Sequence, residues 1–110
     1  MKPDPKPQPL CKVTMQYRSG AGKVFELESA GQMLDVHVTP RTASENGGEW
    51  LVAAHDRRGG GAIVISESGA TRGEALDKVS RAWVAQMTER GLTAFDWAAV
   101  TSTLIAIRAI

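Results

Sequence analysis

The sequence predicts an α+β domain: a five-stranded antiparallel meander sheet, then a long helix packed on one face and a second C-terminal helix. Three observations carry that expectation. Residues 11–67 read as five short runs of alternating apolar and polar side chains, separated by turns rich in glycine, proline and polar residues. From Arg72 to Arg90 the apolar residues recur instead at helical spacing. Between the two halves, Thr71 and Glu74 have the S/T-x-x-E spacing of a capping box. In that box the hydroxyl takes the N3 amide and the carboxylate reaches back to the cap amide.

Residues 1–10 hold four of the five prolines and read as an extended, disordered Pro-rich tail ahead of a single domain over 11–110. Cys11 to Arg18 alternates without a fault and forms the first strand, with Cys11, Val13 and Met15 in phase. Ser19 to Gly22 is a turn, and Lys23 to Ser29 the second strand, with Phe25 and Leu27 on one face. Ala30-Gly31 turns the chain into Gln32 to Thr39, where Leu34, Val36 and Val38 align and Pro40 ends the run. A polar loop from Arg41 to Gly48 leads to Glu49–Asp56, with Trp50, Val52 and Ala54 in phase. Arg57-Arg58-Gly59-Gly60-Gly61 is a hairpin tip before the fifth strand, Ala62 to Glu67.

In the first helix Ala75, Leu76, Val79, Ala82, Trp83, Gln86 and Met87 form the buried stripe. Glu74/Lys78 and Asp77/Arg81 are i,i+4 pairs in the better orientation, acid first. Gly91 suits the residue just past the helix end. A second helix starts near Ala94 or Asp96, with Trp97, Val100, Leu104 and Ile107 as its stripe; residues 104–110 also read as a short final strand.

Pairing the strands through the shortest loops tests the faces. A Gly20-Ala21-Gly22 loop sets Tyr17 opposite Phe25 and Met15 opposite Leu27. The Ala30-Gly31 turn sets Leu27 opposite Leu34 and Phe25 opposite Val36. The later hairpins set Val36 opposite Val52, Val38 opposite Trp50 and Ala54 opposite Val64. One face stays apolar throughout, and a one-residue slip would turn a strand's side chains over. The other face is polar on the first strands but carries Met33, Leu51, Ala53, Ile63 and Ile65. A solvated face should remain polar, so this patch needs a cover: the C-terminal helix or a partner subunit.

The bulk composition narrows the function classes. With 110 residues, 13 basic and 12 acidic side chains and a net charge of +1, the chain has no strong field toward nucleic acid or anionic lipid. No apolar run approaches the roughly 20 residues that span a bilayer. The N-terminus lacks the apolar core of a signal peptide. A single cysteine excludes an internal disulfide, so a cytoplasmic protein is expected.

Asp35, His37 and His55 fall on the second face, where a His–carboxylate pair could do acid–base or metal chemistry. In this register His55 lies opposite Met33, however, and Cys11 is on the other face, so no cofactor, metal or catalytic group is expected. Arg57, Arg58 and Arg18 are the candidates for a phosphate or nucleic-acid contact. Tyr17, Phe25 and Trp50 all fall on the core face, which leaves no aromatic platform for single strands.

A strand-rich half followed by Gly69-Ala70-Thr71-Arg72-Gly73-Glu74-Ala75-Leu76 resembles, locally, HicB-type antitoxins and double-stranded RNA-binding domains. The resemblance implies a nucleic-acid-binding or antitoxin-like regulator. The residues themselves favour a non-catalytic interaction module, dimeric or bound to a protein partner through the second face. A small enzyme or metal protein built on Asp35, His37 and His55 is the third reading.

Overall fold

A computed structural model describes residues 11–29, 32–40, 49–56 and 63–110. Five strands run in order: β1 (Lys12–Ser19), β2 (Gly22–Ser29), β3 (Gln32–Pro40), β4 (Trp50–Asp56) and β5 (Ile63–Gly69). Two helices follow, α1 (Arg72–Glu89) and α2 (Trp97–Ala106). The strands form one antiparallel sheet whose spatial order is the chain order, the expected meander. The Pro-rich tail, the Ala30-Gly31 turn, the 41–48 loop and the 57–61 hairpin tip with Arg57 and Arg58 lie outside the described residues.

One face of the sheet meets both helices. Phe25, Leu27, Leu34, Val36, Val38, Val52, Ala54 and Ile65 form a single core with Leu76, Val79, Trp83 and Met87 of α1 and Val100 and Leu104 of α2. The α1 stripe is the predicted one: Ala75, Leu76, Val79, Trp83 and Met87 are buried, and Ala82 and Gln86 are half-buried. α1 crosses β4 and β5. α2 is tied to the β1 side, where the Cys11 N–H donates to Thr103 Oγ1 at 2.8 Å. The Trp83 and Trp97 rings meet edge to face, with centroids 5.6 Å apart, and join the second half of α1 to the start of α2.

The strand-to-helix junction follows its sequence. Thr71 Oγ1 accepts the Glu74 N–H at 3.1 Å. The other half of the expected box is not made among the described residues; Glu74 Oε1 faces Lys78 Nζ at 3.6 Å instead. Gly69 is required by proximity, since a Cβ there would come within 2.7 Å of the Ala75 nitrogen. β5 therefore runs directly against the first turn of the helix it feeds. Residues 104–110 are not a strand: α2 continues to Ala106 and closes in a turn.

The β2–β3 register is the predicted one, Leu27 opposite Leu34 and Phe25 opposite Val36. The other three pairings differ. Ser19 pairs with Gly22, so the first loop is only Gly20-Ala21, with Gly20 at φ +59°. A two-residue hairpin with glycine first is a favoured geometry. The shorter loop turns Met15 and Tyr17 onto the second face, opposite Glu26 and Val24. A bulge between Val13 and Met15 restores the phase, and Val13 and Cys11 still pack on the core side. β4 is displaced by two residues along β3, which preserves its faces: Val36 meets Ala54 and Val38 meets Val52. β5 is displaced by one residue along β4, so Ala54 meets Ile65, not Val64.

Candidate functional site

The β5 displacement corrects the expected interface. Ile65 is buried in the core and Ile63 packs against it, both on the helix side. Neither belongs to the second face. Val64 takes their place there and is 62% exposed. Met33, Leu51 and Ala53 remain on that face and are half-buried. Met15 and Tyr17 join them, 52% and 46% exposed. The expectation that the outer face lacks an aromatic is overturned by Tyr17.

Pairing across the strands builds two rows. One runs Met15, Glu26, Asp35, His55, Val64, and the next runs Tyr17, Val24, His37, Ala53, Ser66. α2 does not wrap round to this face; its buried residues share the core of α1. Among the described residues no helix covers these rows.

The same displacement of β4 that leaves its faces intact brings Asp35 opposite His55, where Met33 was expected. His55 Nδ1 stands 3.8 Å from Asp35 Oδ2. That is within ion-pair range for a protonated imidazole but too long for a hydrogen bond. His37 sits in the adjoining row. Cys11 lies on the core side as expected, and among the described residues no group of three His, Cys, Asp or Glu side chains could hold a metal. Burial, and secondarily the Asp96 carboxylate, push the Cys11 thiol above its ordinary value; hydrogen bonds with Thr103 and Ser29 act in the opposite sense. A thiol so held stays protonated near neutral pH and is a poor nucleophile.

No family model, curated sequence or solved structure matches the chain. The local resemblance of the Gly69–Leu76 junction therefore gains no support from them, and the capping bond of Thr71 and the close approach at Gly69 account for those residues structurally. No helix is long and apolar enough to cross a membrane among the described residues.

Met15, Tyr17 and Val64 are the site residues that sequence reasoning missed. A signal for each was present. Gly20 can take the first position of a two-residue hairpin, which shortens the loop and turns over the end of β1. In the fifth strand, Ile63/Ile65 outweighs Ala62/Val64 in apolar bulk, and the heavier pair belongs in the core. Arg18, a predicted phosphate contact, is paired with Lys23 at the end of β1 and β2.

Proposed function

We propose that this chain is a non-catalytic interaction module that associates with a second copy of itself through the open face of its sheet. The observation that carries the reading is the one-sided packing of α1 and α2, which leaves apolar side chains exposed at both edges of the opposite face, Met15 and Tyr17 on β1 and Val64 on β5. Half-buried Met33, Leu51 and Ala53 lie between these two edges on the same face, and apolar side chains spread over one sheet face in this way favour association.

The face also suits itself. Its carboxylates, Glu26, Glu28 and Asp35, lie on β2 and β3, while His37 and His55 lie on β3 and β4. A two-fold axis through the face lets the histidines of one copy approach the carboxylates of the other, around an apolar contact. Strands about 4.8 Å apart and rising about 3.3 Å per residue give the sheet roughly 600 Å² of face. Two copies would bury about 1,200 Å², the lower bound of a standard specific interface. A reversible dimer is therefore the expected state.

Sedimentation equilibrium across a concentration series tests this. The expected result is a monomer–dimer equilibrium that Val64→Asp shifts fully to monomer with its circular dichroism unchanged. A strictly monomeric protein at about 1 mM, or a Val64→Asp variant that dimerises as well as the parent, would refute it. The enzyme or metal reading draws support from the Asp35–His55 contact alone.

A further inference from the structure

At the far side of the molecule from the open face, a small pocket of about 120 Å³ lies where the β1–β2 turn, the start of α1 and the end of α2 come together. Phe25, Val38 and Trp50 supply its apolar lining, and Lys23, Arg72 and Arg108 supply its charge. None of the lining residues is acidic.

Three features distinguish this cluster from an ordinary solvated surface. First, the cations lack counter-charges: among the described residues no carboxylate pairs with Arg18, Lys23, Arg72 or Arg108. The chain as a whole is nearly neutral, so the cluster does not simply reflect an excess of basic residues. Second, the sheet sets Arg18, which does not itself line the pocket, directly opposite Lys23, a like-charge pair that disfavours the fold. Third, Arg108 has φ +60°, the only positive φ at a non-glycine among the described residues.

The third feature has an internal control. Both helices end in the same turn. In α1 the Leu92 N–H donates to Met87 O and the Gly91 N–H to Thr88 O; in α2 the Ala109 N–H donates to Leu104 O and the Arg108 N–H to Ile105 O. The left-handed position is Gly91 in the first turn and Arg108 in the second, with φ +68° and +60°. Glycine takes that conformation without penalty and arginine does not. Strain at a non-glycine residue, together with uncompensated like charge beside a cavity, is the pattern of a ligand site.

We propose that this pocket binds a phosphate dianion, free or as the terminal group of a small ester. Two guanidinium groups and an ammonium match two negative charges better than the single charge of a carboxylate. The Arg72 guanidinium already lies 5.0 Å from the Trp50 ring centroid, which fixes it at the pocket wall. The volume suits one oxyanion group and is well below the roughly 300 Å³ at which pockets begin to enclose larger ligands. A bound dianion relieves the repulsion among Lys23, Arg72 and Arg108. The site is separate from the open sheet face and does not require dimerisation.

Titration calorimetry with inorganic phosphate and with glycerol phosphate, at fixed ionic strength set by chloride, tests the assignment. Saturable binding of inorganic phosphate, or of the ester alone, is the expected result, and the comparison identifies the source. Arg72→Gln and Arg108→Gly should each weaken binding about tenfold or more, as loss of one charged hydrogen-bond partner does. Arg81→Ala, whose guanidinium faces Asp77 on the outside of α1, should leave it unchanged. Arg108→Gly keeps its folded signal because glycine suits the turn, so loss of binding there cannot be attributed to unfolding. No saturable binding of either probe, or binding that survives both substitutions, overturns the proposal.

Discussion

Replacing Arg108 with glycine should stabilise the free protein, although it deletes a charged side chain at a helix end. The left-handed conformation costs an L-residue about 1–2 kcal/mol and glycine almost nothing. Against that gain stands the loss of a cation near the C-terminus of α2, where the helix dipole favours positive charge by about 0.3–1 kcal/mol. The balance is a net gain of about 1 kcal/mol. Relief of repulsion from Lys23 and Arg72 adds to it at low salt and fades as salt screens the cluster. For a domain of this size, a change of about 1 kcal/mol moves Tm by about 4–8 °C. Gly91→Ala, at the equivalent place in α1, should lower stability by a similar amount. Arg108→Ala removes the charge while retaining the strained backbone, so it should lack the conformational gain. Urea and thermal unfolding of the three variants at low and high salt would measure all of this. Arg108→Gly less stable than the parent by about 1 kcal/mol would refute the reasoning, because it would make the arginine a structural anchor and not a tolerated strain.

Two further predictions concern the core. Thr103 is 3% exposed; its hydroxyl donates to Ala99 O and accepts the Cys11 N–H. Thr103→Val, which keeps the shape but leaves that buried N–H without its acceptor, should cost about 1–3 kcal/mol, whereas Thr103→Ser should cost about 1 kcal/mol for the lost methyl. Faster amide exchange at Cys11 should accompany only the valine variant, and a serine variant less stable than the valine one would mean that packing, not the hydrogen bond, ties β1 to α2. The Cys11 thiol, raised by burial, binds its proton more tightly folded than unfolded. Stability should therefore fall as pH rises above the ordinary thiol range, until the folded thiol itself ionises. Cys11→Ala should flatten that part of the pH–stability curve, and an identical curve for the variant would contradict the assignment.

The sequence made the architecture legible because local and tertiary preferences agree. The helical stripe of α1 is written in Ala75, Leu76, Val79, Trp83 and Met87, and the same residues are buried. The β2–β3 register follows from two strands with a single apolar parity each, Phe25/Leu27 and Leu34/Val36/Val38. Elsewhere the parity was weaker. β1 is a largely exposed edge strand, so Met15 and Tyr17 were free to sit on either face, and the loop, not the pattern, decided. β5 is apolar at Ile63, Val64 and Ile65 in succession, which erases the alternation that would fix its phase. The two-residue displacement of β4 left every face correct and was invisible to pattern, yet it alone decides that His55 meets Asp35. The pocket was illegible for a different reason: Lys23, Arg72 and Arg108 are far apart in sequence, and the backbone conformation of Arg108 leaves no trace in composition.

Both surfaces follow from one packing decision. α1 is 18 residues long and α2 is 10, so at about 1.5 Å per residue they reach roughly 27 and 15 Å. The edge-to-face Trp83–Trp97 contact joins the second half of the first to the start of the second, and Arg72, at the start of the first, shares the pocket with Arg108, just past the end of the second. The helices are thus antiparallel neighbours laid on one face of the sheet. Two consequences cannot be separated from that arrangement. The whole helical complement lies on one face, so among the described residues no helix covers the opposite face, where Met15, Tyr17 and Val64 stay exposed although Val24 is buried. The strand ends, the first turn of α1 and the last turn of α2 also converge without a side chain large enough to fill the gap between them. A third helix would remove the first feature, and a longer α2 would cover the second. Substitutions on one surface should therefore leave the other unaffected: Val64→Asp should not alter phosphate affinity, and Arg72→Gln should not alter the dimer. Strong coupling between the two would mean that the sheet itself deforms, which the continuous core of Leu27, Leu34, Val36 and Val52 beneath both helices opposes.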